Sequence, residues 1–317
     1  MLPVVFHQGA QVTTGRSRRA PHLGLSQQAF GLMITFIGVV VLSFEGVLIR
    51  SIKVDSWTLL FLRGLLAFPG LCLFFLVVER RGWRKQVRSM GWAGALAAVL
   101  FAIDNVGFIY SITHTSVANT LLLISLSPLF AGLFTRLLLK EPVPRRTWLA
   151  IAGGSVATLI IMLGSLVEGD LSGTIAGLIA SAALGGTLVV LRANPTLNMI
   201  PAVAIGSGLA ALVGLPAAVP GSADAQDWMY LVVLGFFVVP VAFGLIATGP
   251  RFIPAPEVAL LLLLETVLGA YMVWAIIGEE PVITTIVGGL ILVAVLAAHS
   301  VATLRNLEGH GLRKVGS

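Results

Sequence analysis

The sequence predicts an all-α integral membrane protein of ten transmembrane helices, arranged as two inverted five-helix repeats. Three observations carry that expectation. Hydrophobic residues make up 57% of the 317 residues and charged residues only 11%, against roughly 25% charged in an average soluble domain. The apolar residues gather into ten continuous runs, each near the 20 or so residues that a bilayer core of about 30 Å demands. Short patterns in the first five runs return in the same order in the second five. A mean hydropathy of +0.99 excludes a secreted, nuclear or cytosolic globular protein, and equally a disordered chain. The net charge of +6 is then a topology signal, with no nucleic-acid partner implied. The single cysteine, Cys72, permits no intrachain disulfide and no cysteine metal cluster.

In chain order, residues 1–28 are polar and carry Arg16, Arg18 and Arg19. They hold no apolar stretch of signal-peptide length, so they read as a flexible tail ahead of an uncleaved signal anchor. The expected spans are Phe30–Ile49, Trp57–Val78, Trp92–Ile112, Val117–Leu139 and Trp148–Val167, then Thr174–Leu191, Asn198–Val219, Trp228–Thr248, Ala255–Ile277 and Val282–Leu304. Phe68-Pro69-Gly70 and Ser127-Pro128 interrupt two of them, which membrane helices tolerate better than soluble ones. The runs are continuous rather than alternating, which excludes a β-barrel.

Basic residues orient the bundle. Arg80, Arg81, Arg84, Lys85, Arg88, Lys140, Arg145, Arg146, Arg192 and Arg251 fall in connections on the side of the N-terminal tail, as do Arg305, Arg313 and Lys314. The opposite connections hold only Arg50 and Lys53 and are otherwise acidic: Glu168, Asp170, Asp224, Asp227, Glu279 and Glu280. Both termini are therefore expected in the cytoplasm of a plasma membrane, a bacterial inner membrane for preference.

The halves echo each other. Leu139-Lys140-Glu141-Pro142 closes the fourth run and Gly278-Glu279-Glu280-Pro281 the ninth, and Gly153-Gly154 and Gly288-Gly289 follow them. Gly64 and Gly70 correspond to Gly208 and Gly214, and Leu48-Ile49-Arg50 to Val190-Leu191-Arg192. A duplicated unit with an odd number of helices inserts upside down relative to the first. Such inverted repeats are an architecture of secondary transporters, with the binding site near mid-membrane between the repeats. The expected organisation is a cytoplasmic tail over 1–28, a first repeat over 29–167, a second over 172–304 and a cytoplasmic tail over 305–317.

Thr113-His114-Thr115-Ser116-Val117-Ala118-Asn119, with Leu126-Ser127-Pro128-Leu129-Phe130-Ala131 and Leu139-Lys140-Glu141, resembles the EamA domain of the drug/metabolite transporter superfamily. Pro254-Ala255-Pro256-Glu257-Val258-Ala259-Leu260, with Glu265-Thr266-Val267-Leu268-Gly269 and Gly278-Glu279-Glu280, resembles its second copy. Arg63 matches a frequent family position, and Ala270 departs from the pattern, since relatives commonly carry proline there. The resemblance spans about residues 29–304 and implies ten helices in two inverted EamA units. It also implies export or exchange of small metabolites.

Ionisable groups inside a bilayer are costly and are functional candidates by default. Glu45, Arg63 and Asp104 fall within roughly 6 Å of one another in depth at 1.5 Å per helical residue. Glu265 lies about mid-way along its run. Three acids against one base leave a surplus negative charge when all are ionised, which invites a proton or a cationic solute. A static Glu45–Arg63 pair that orients the first three helices is the competing reading. Pro128 frees a backbone carbonyl, and Asn119, Ser125, Ser127 and Thr266 add polar groups, so the fourth and ninth helices are the expected central pathway. Interhelical hydrogen bonding is the plainer role for each of these hydroxyls.

The remaining polar groups suggest plainer roles. Glu257 is expected to meet the helix dipole at the start of the ninth helix. Arg136 and His299 are expected to snorkel from helix ends, and His114 to sit in a solvated turn. Trp57, Trp92, Trp148 and Trp228 suggest an interfacial belt, while Gly31…Thr35 and Gly91…Ala95 suggest close helix packing. No Walker loop, His-Glu-x-x-His or Gly-x-Ser-x-Gly motif occurs in the sequence, so no enzyme, cofactor or metal is implied. The expected function is a secondary-active transporter, an exporter of small metabolites such as amino acids, working by alternating access. Protons are the candidate coupling ion and a homodimer the candidate assembly. The alternative is a membrane-embedded enzyme or lipid-handling protein without transport, although the five histidines are scattered.

Overall fold

The computed structural model describes residues 26–79, 83–115, 117–163, 170–278 and 280–313, with side chains omitted at 117, 118 and 304–313. Of the residues used above, Arg16, Arg18, Arg19, Arg80, Arg81, Ser116, Glu168, Glu279 and Lys314 lie outside that description. The described residues form ten helical rods. The first five are α1 (Gln27–Ser51), α2 (Ser56–Val78), α3 (Trp83–His114), α4 (Asn119–Leu139) and α5 (Arg145–Met162). The second five are α6 (Leu171–Ala193), α7 (Ile200–Ala217), α8 (Ala225–Arg251), α9 (Ala255–Ile277) and α10 (Ile283–Arg313). Nine are long and apolar enough to cross a membrane. The tenth, α5, is 18 residues long and opens on Arg145 and Arg146, which dilute its apolar content at one end.

Local chemistry sets the boundaries. Ser26 caps α1, its hydroxyl accepting from the Ala29 amide. Asp55 caps α2, one carboxylate oxygen accepting from the Trp57 and Thr58 amides and the other from the Thr58 hydroxyl. Burial works to raise the Asp55 pKa, but these bonds outweigh it and hold the carboxyl below its ordinary value. Asp224 and Asp227 form a reciprocal capping box at the start of α8. The buried Asp227 also accepts from the Lys53 amide at 2.9 Å, which ties the α1–α2 connection to the second half.

Repeat-related helices meet in pairs: α2 packs on α7, α5 on α10 and α4 on α9, while the α1–α8 contact across the halves is mirrored by the α3–α6 contact. Of the glycines matched in the sequence, Gly64, Gly208 and Gly214 lie on the α2–α7 seam, whereas Gly70 faces Phe236 and Pro240 of α8. A Cβ on Gly64 would come within 2.6 Å of the Ser207 carbonyl oxygen, and one on Gly214 within 3.2 Å of the Trp57 carbonyl oxygen. Gly91 behaves otherwise than expected. It does not pack a helix closely but bends α3, at φ 49° and ψ −139°, with open space where a Cβ would stand. This left-handed geometry suits glycine and turns Trp83–Met90 away from the span. Leu73, Val77, Leu149, Leu212 and Leu290 stand on the exterior, the apolar surface that lipid covers.

The tryptophans divide. Trp92 and Trp228 are exposed, whereas Trp148 packs on Gly132 and Trp57 meets Tyr110 edge-on at 6.5 Å. α9 breaks at Leu263, where the amide bonds back three residues to Leu260, and then runs unbroken through Ala270 to Ile277. The break therefore needs no proline at 270.

The α2–α7 seam generates a prediction. Gly64→Ala forces the Ser207 backbone to give way and should cost about 1–3 kcal/mol, read as a lower melting temperature in detergent. Gly221→Ala, in a connection with nothing within 4 Å, should leave it unchanged. Equal melting of the two variants would refute the close seam.

Candidate functional site

Two helix interruptions place the polar centre. α1 breaks at Ser43, which is fully buried and turns its hydroxyl onto the Val39 carbonyl at 2.8 Å. The helix then restarts with Glu45 in its new first turn. α9 restarts after Leu263 with Glu265 in the corresponding place. A carboxylate near a helix N-terminus meets the positive end of the backbone dipole, so both breaks favour an acid at that position.

Arg63 of α2 lies between them. Its guanidinium reaches Glu45 at 2.9 Å and donates to the Asn105 side-chain oxygen at 2.8 Å. Asn105 is in turn anchored by donating to the Phe101 carbonyl. The Arg63 Nε is buried without a hydrogen-bond partner. Asp104, one residue before Asn105, is buried and feels the Arg63 charge. Glu265 feels the charges of Glu45, Arg63 and Asp104 together. Four ionisable side chains from α1, α2, α3 and α9 thus share one electrostatic neighbourhood, with Asn105 as its neutral member.

Packing changes abruptly at this level. Every α9 residue from Ala255 to Leu264 is buried, and beyond Leu264 no described residue of α9 is. The buried half joins a core with Ala131, Ile161, Leu188 and Leu292. α9 is thus packed into the bundle between the polar centre and the end bearing Arg145, Arg146, Arg192 and Arg251, here termed the basic end, and is more exposed towards the opposite end.

Asn119, Ser127 and Pro128 stand on α4, which contributes none of the four charged side chains, and Thr266 adjoins Glu265. Asn119 donates to the Thr115 and Thr174 hydroxyls and links α4 to α6 near the far end of the bundle. Ser127 and Pro128 restart α4 after its break at Ser125–Leu126 and are buried. The Ser127 carbonyl faces Gly185 of α6. Thr266 follows Glu265, and its amide bonds to the Leu263 carbonyl across the break. His114 is exposed, as expected, and stacks on Tyr110 at 3.8 Å.

One expectation is overturned. His299 does not snorkel: it is buried and faces Glu257 at 3.8 Å. Glu257 stands in the first turn of α9, as expected, but it is 6% exposed and its Oε2 has no hydrogen-bond partner among the described residues. Neighbouring helices close over both, which a reading of one helix at a time does not register. Asn105 was also missed. A polar residue adjacent to Asp104 in an apolar run was the available signal.

Comparison with known families supplies the context. The model of the EamA-like transporter family matches residues 29–163 and again 171–300. The chain belongs to the EamA-like transporter family. This EamA protein is accordingly an integral membrane transporter of the drug/metabolite type with two copies of the repeat. A comparison with curated proteins finds no match. A solved structure titled only "Crystal structure of protein" is similar to the EamA transporter, with a TM-score of 0.71 at 16% identity. The similarity covers 86% of this chain and 99% of the other and shows a shared fold.

The pairing of Arg63 can be tested directly. Arg63→Ala leaves the partly buried Glu45 without its cation and should cost up to about 3–5 kcal/mol, seen as lower expression and melting temperature. The double variant Glu45→Gln, Arg63→Gln should regain part of that loss. A double variant no more stable than Arg63→Ala would show that the pair does not act as a unit.

Proposed function

We propose that this EamA transporter is a secondary-active exporter of small metabolites, amino acids or related compounds, that works by alternating access around the Glu45–Arg63–Asp104–Glu265 cluster. The observation that carries the reading is the convergence of these four side chains at the level where α1 and α9 are interrupted and where α9 passes from buried to open. Broken helices at mid-membrane between inverted repeats are where secondary transporters bind solute and coupling ion. Three carboxyls around one guanidinium carry surplus negative charge when all are ionised, which is costly away from water. A proton or the ammonium group of a solute relieves it. Either occupant changes the balance of charge and so biases which end of the bundle closes.

The basic end is assigned to the cytoplasm by the distribution of Lys and Arg. The buried half of α9 is then the inward half. The repeat units are proposed to be 29–167 and 172–304, with cytoplasmic tails at 1–28 and 305–317, in a bacterial inner membrane. Proton coupling and a homodimer belong to the same proposal. Reporter tags at residue 85 and at the C-terminus should report from the cytoplasm, and tags at residues 170 and 225 from outside. A cytoplasmic signal at 170 would break the orientation.

Coupling is tested by separating net flux from exchange. Asp104→Asn and Glu265→Gln should insert normally and lose at least tenfold in gradient-driven flux in proteoliposomes, while exchange of labelled for unlabelled solute without a gradient survives better. Full gradient-driven flux in both variants would exclude these two acids as the coupling groups.

A further inference from the structure

A second polar chamber lies at the basic end, away from the charged cluster. It is a cavity of about 460 Å³ among the ends of α1, α4, α5, α9 and α10. Glu257 lies eight residues before Glu265 on α9, which at 1.5 Å per residue is about 12 Å. The buried leucines Leu260–Leu264 stand between them. Thr135, Thr147, Thr303 and Glu257 line the cavity at relative exposures of 1%, 2%, 3% and 6%. The three threonine Oγ1 atoms and Glu257 Oε2 have no hydrogen-bond partner among the described residues. Gln28 Oε1 and Arg146 Nε, on two further lining residues, are likewise buried without partners.

Buried polar atoms are nearly always paired, so six such orphans around one cavity require an account. Four of the twelve lining residues bring no backbone donor. Pro142, Pro144, Pro254 and Pro256 form much of the wall, and proline has no N–H to give. A network serving only to hold the inner ends shut would satisfy its own members, and this one does not. A single bridging water takes about 30 Å³, so the cavity has room for a solute.

The chemistry of the wall selects that solute. Glu257 Oε2 and Gln28 Oε1 offer acceptors, while Arg146 Nε offers a charged donor and the threonines offer hydroxyls; Glu141, the other lining carboxylate, is paired with Arg192 at 3.5 Å. Glu257 also feels the charges of Arg146 and Arg192, yet no salt bridge joins it to either. A plain cation would satisfy the carboxylate but be repelled by the guanidinium groups. A plain anion would meet Glu257. We propose that this chamber is a second ligand site, which binds a small zwitterion of the α-amino acid type, its ammonium on Glu257 and Gln28 and its carboxylate on Arg146 and the threonine hydroxyls. Its role as the place where solute is taken up before reaching the central cluster rests on the transporter reading. The binding itself depends on these side chains alone.

The test is thermal unfolding of the purified full-length protein in detergent with L-alanine, L-leucine, L-lysine or L-glutamate, against ethylamine and propionate, which each carry one of the two groups. It uses the Asp104→Asn, Glu265→Gln variant, in which the central cluster is disabled. At a ligand concentration ten times its Kd, at least one amino acid should raise the melting temperature by about 3 °C. Ethylamine and propionate at the same concentration should not. Adding Glu257→Gln or Thr303→Val should weaken the apparent affinity at least tenfold. If the central variant does not fold, wild type is compared with Glu257→Gln and Thr303→Val in the same way. A shift that is present in wild type, lost on disabling the central cluster and kept in Glu257→Gln and Thr303→Val overturns the second site while leaving the transporter reading intact. Absence of a shift with all four amino acids overturns it, as does a shift produced by phosphatidylethanolamine alone.

Discussion

A guanidinium cannot rest inside a bilayer unless several helices agree on where it sits. Arg63 imposes that agreement here. It takes one partner from α1 and another from α3, and its charge reaches the acids of α3 and α9. The two interruptions follow from the same need. A continuous helix satisfies its own backbone and offers little to an ion, whereas a helix that stops and restarts presents fresh amide groups in the middle of the membrane. α1 and α9 do so at the depth of the cluster. Gly64, Gly208 and Gly214 bring α2 against α7, and so hold the arginine-bearing helix firmly to the other repeat.

The division along α9 turns this local arrangement into a property of the whole bundle. One half of the helix is committed to a leucine-rich core and the other half is not. The cluster lies at the join, so a change in its charge acts where the least packing has to be undone. The chamber near Glu257 lies beyond the committed half, and the two polar regions are therefore held apart by one hydrophobic layer.

Much of this was legible in the sequence, for reasons that can be named. Spans are legible because hydrocarbon sets both their length and their composition, and the helices of the structure match the expected runs apart from shifts at their ends. The common depth of Glu45, Arg63 and Asp104 follows from counting residues along each helix. Residue counting gives height but not azimuth, so it could not show that Glu265 turns towards the same point, or that Asn119 turns instead towards Thr174. Glu257 and His299 illustrate the same loss. Each lies near the end of its own helix, where Glu257 reads as meeting the helix dipole and His299 as snorkelling, and only the packing of several helix ends together buries both. Gly91 was legible as a small residue, but whether a small residue serves contact or curvature depends on a backbone angle that the sequence does not state.

The seam between α2 and α7 has one more consequence. Most helix contacts are made of side chains, and side chains can change rotamer when their neighbours move. At Gly64 and Gly214 the neighbours are backbone carbonyl oxygens on the opposite helix, which have no rotamers to change. Such a contact keeps its shape or comes apart, and it does not adapt. Movement of one repeat against the other would then turn about this line as about an axle, with the stroke taken up by helices farther out.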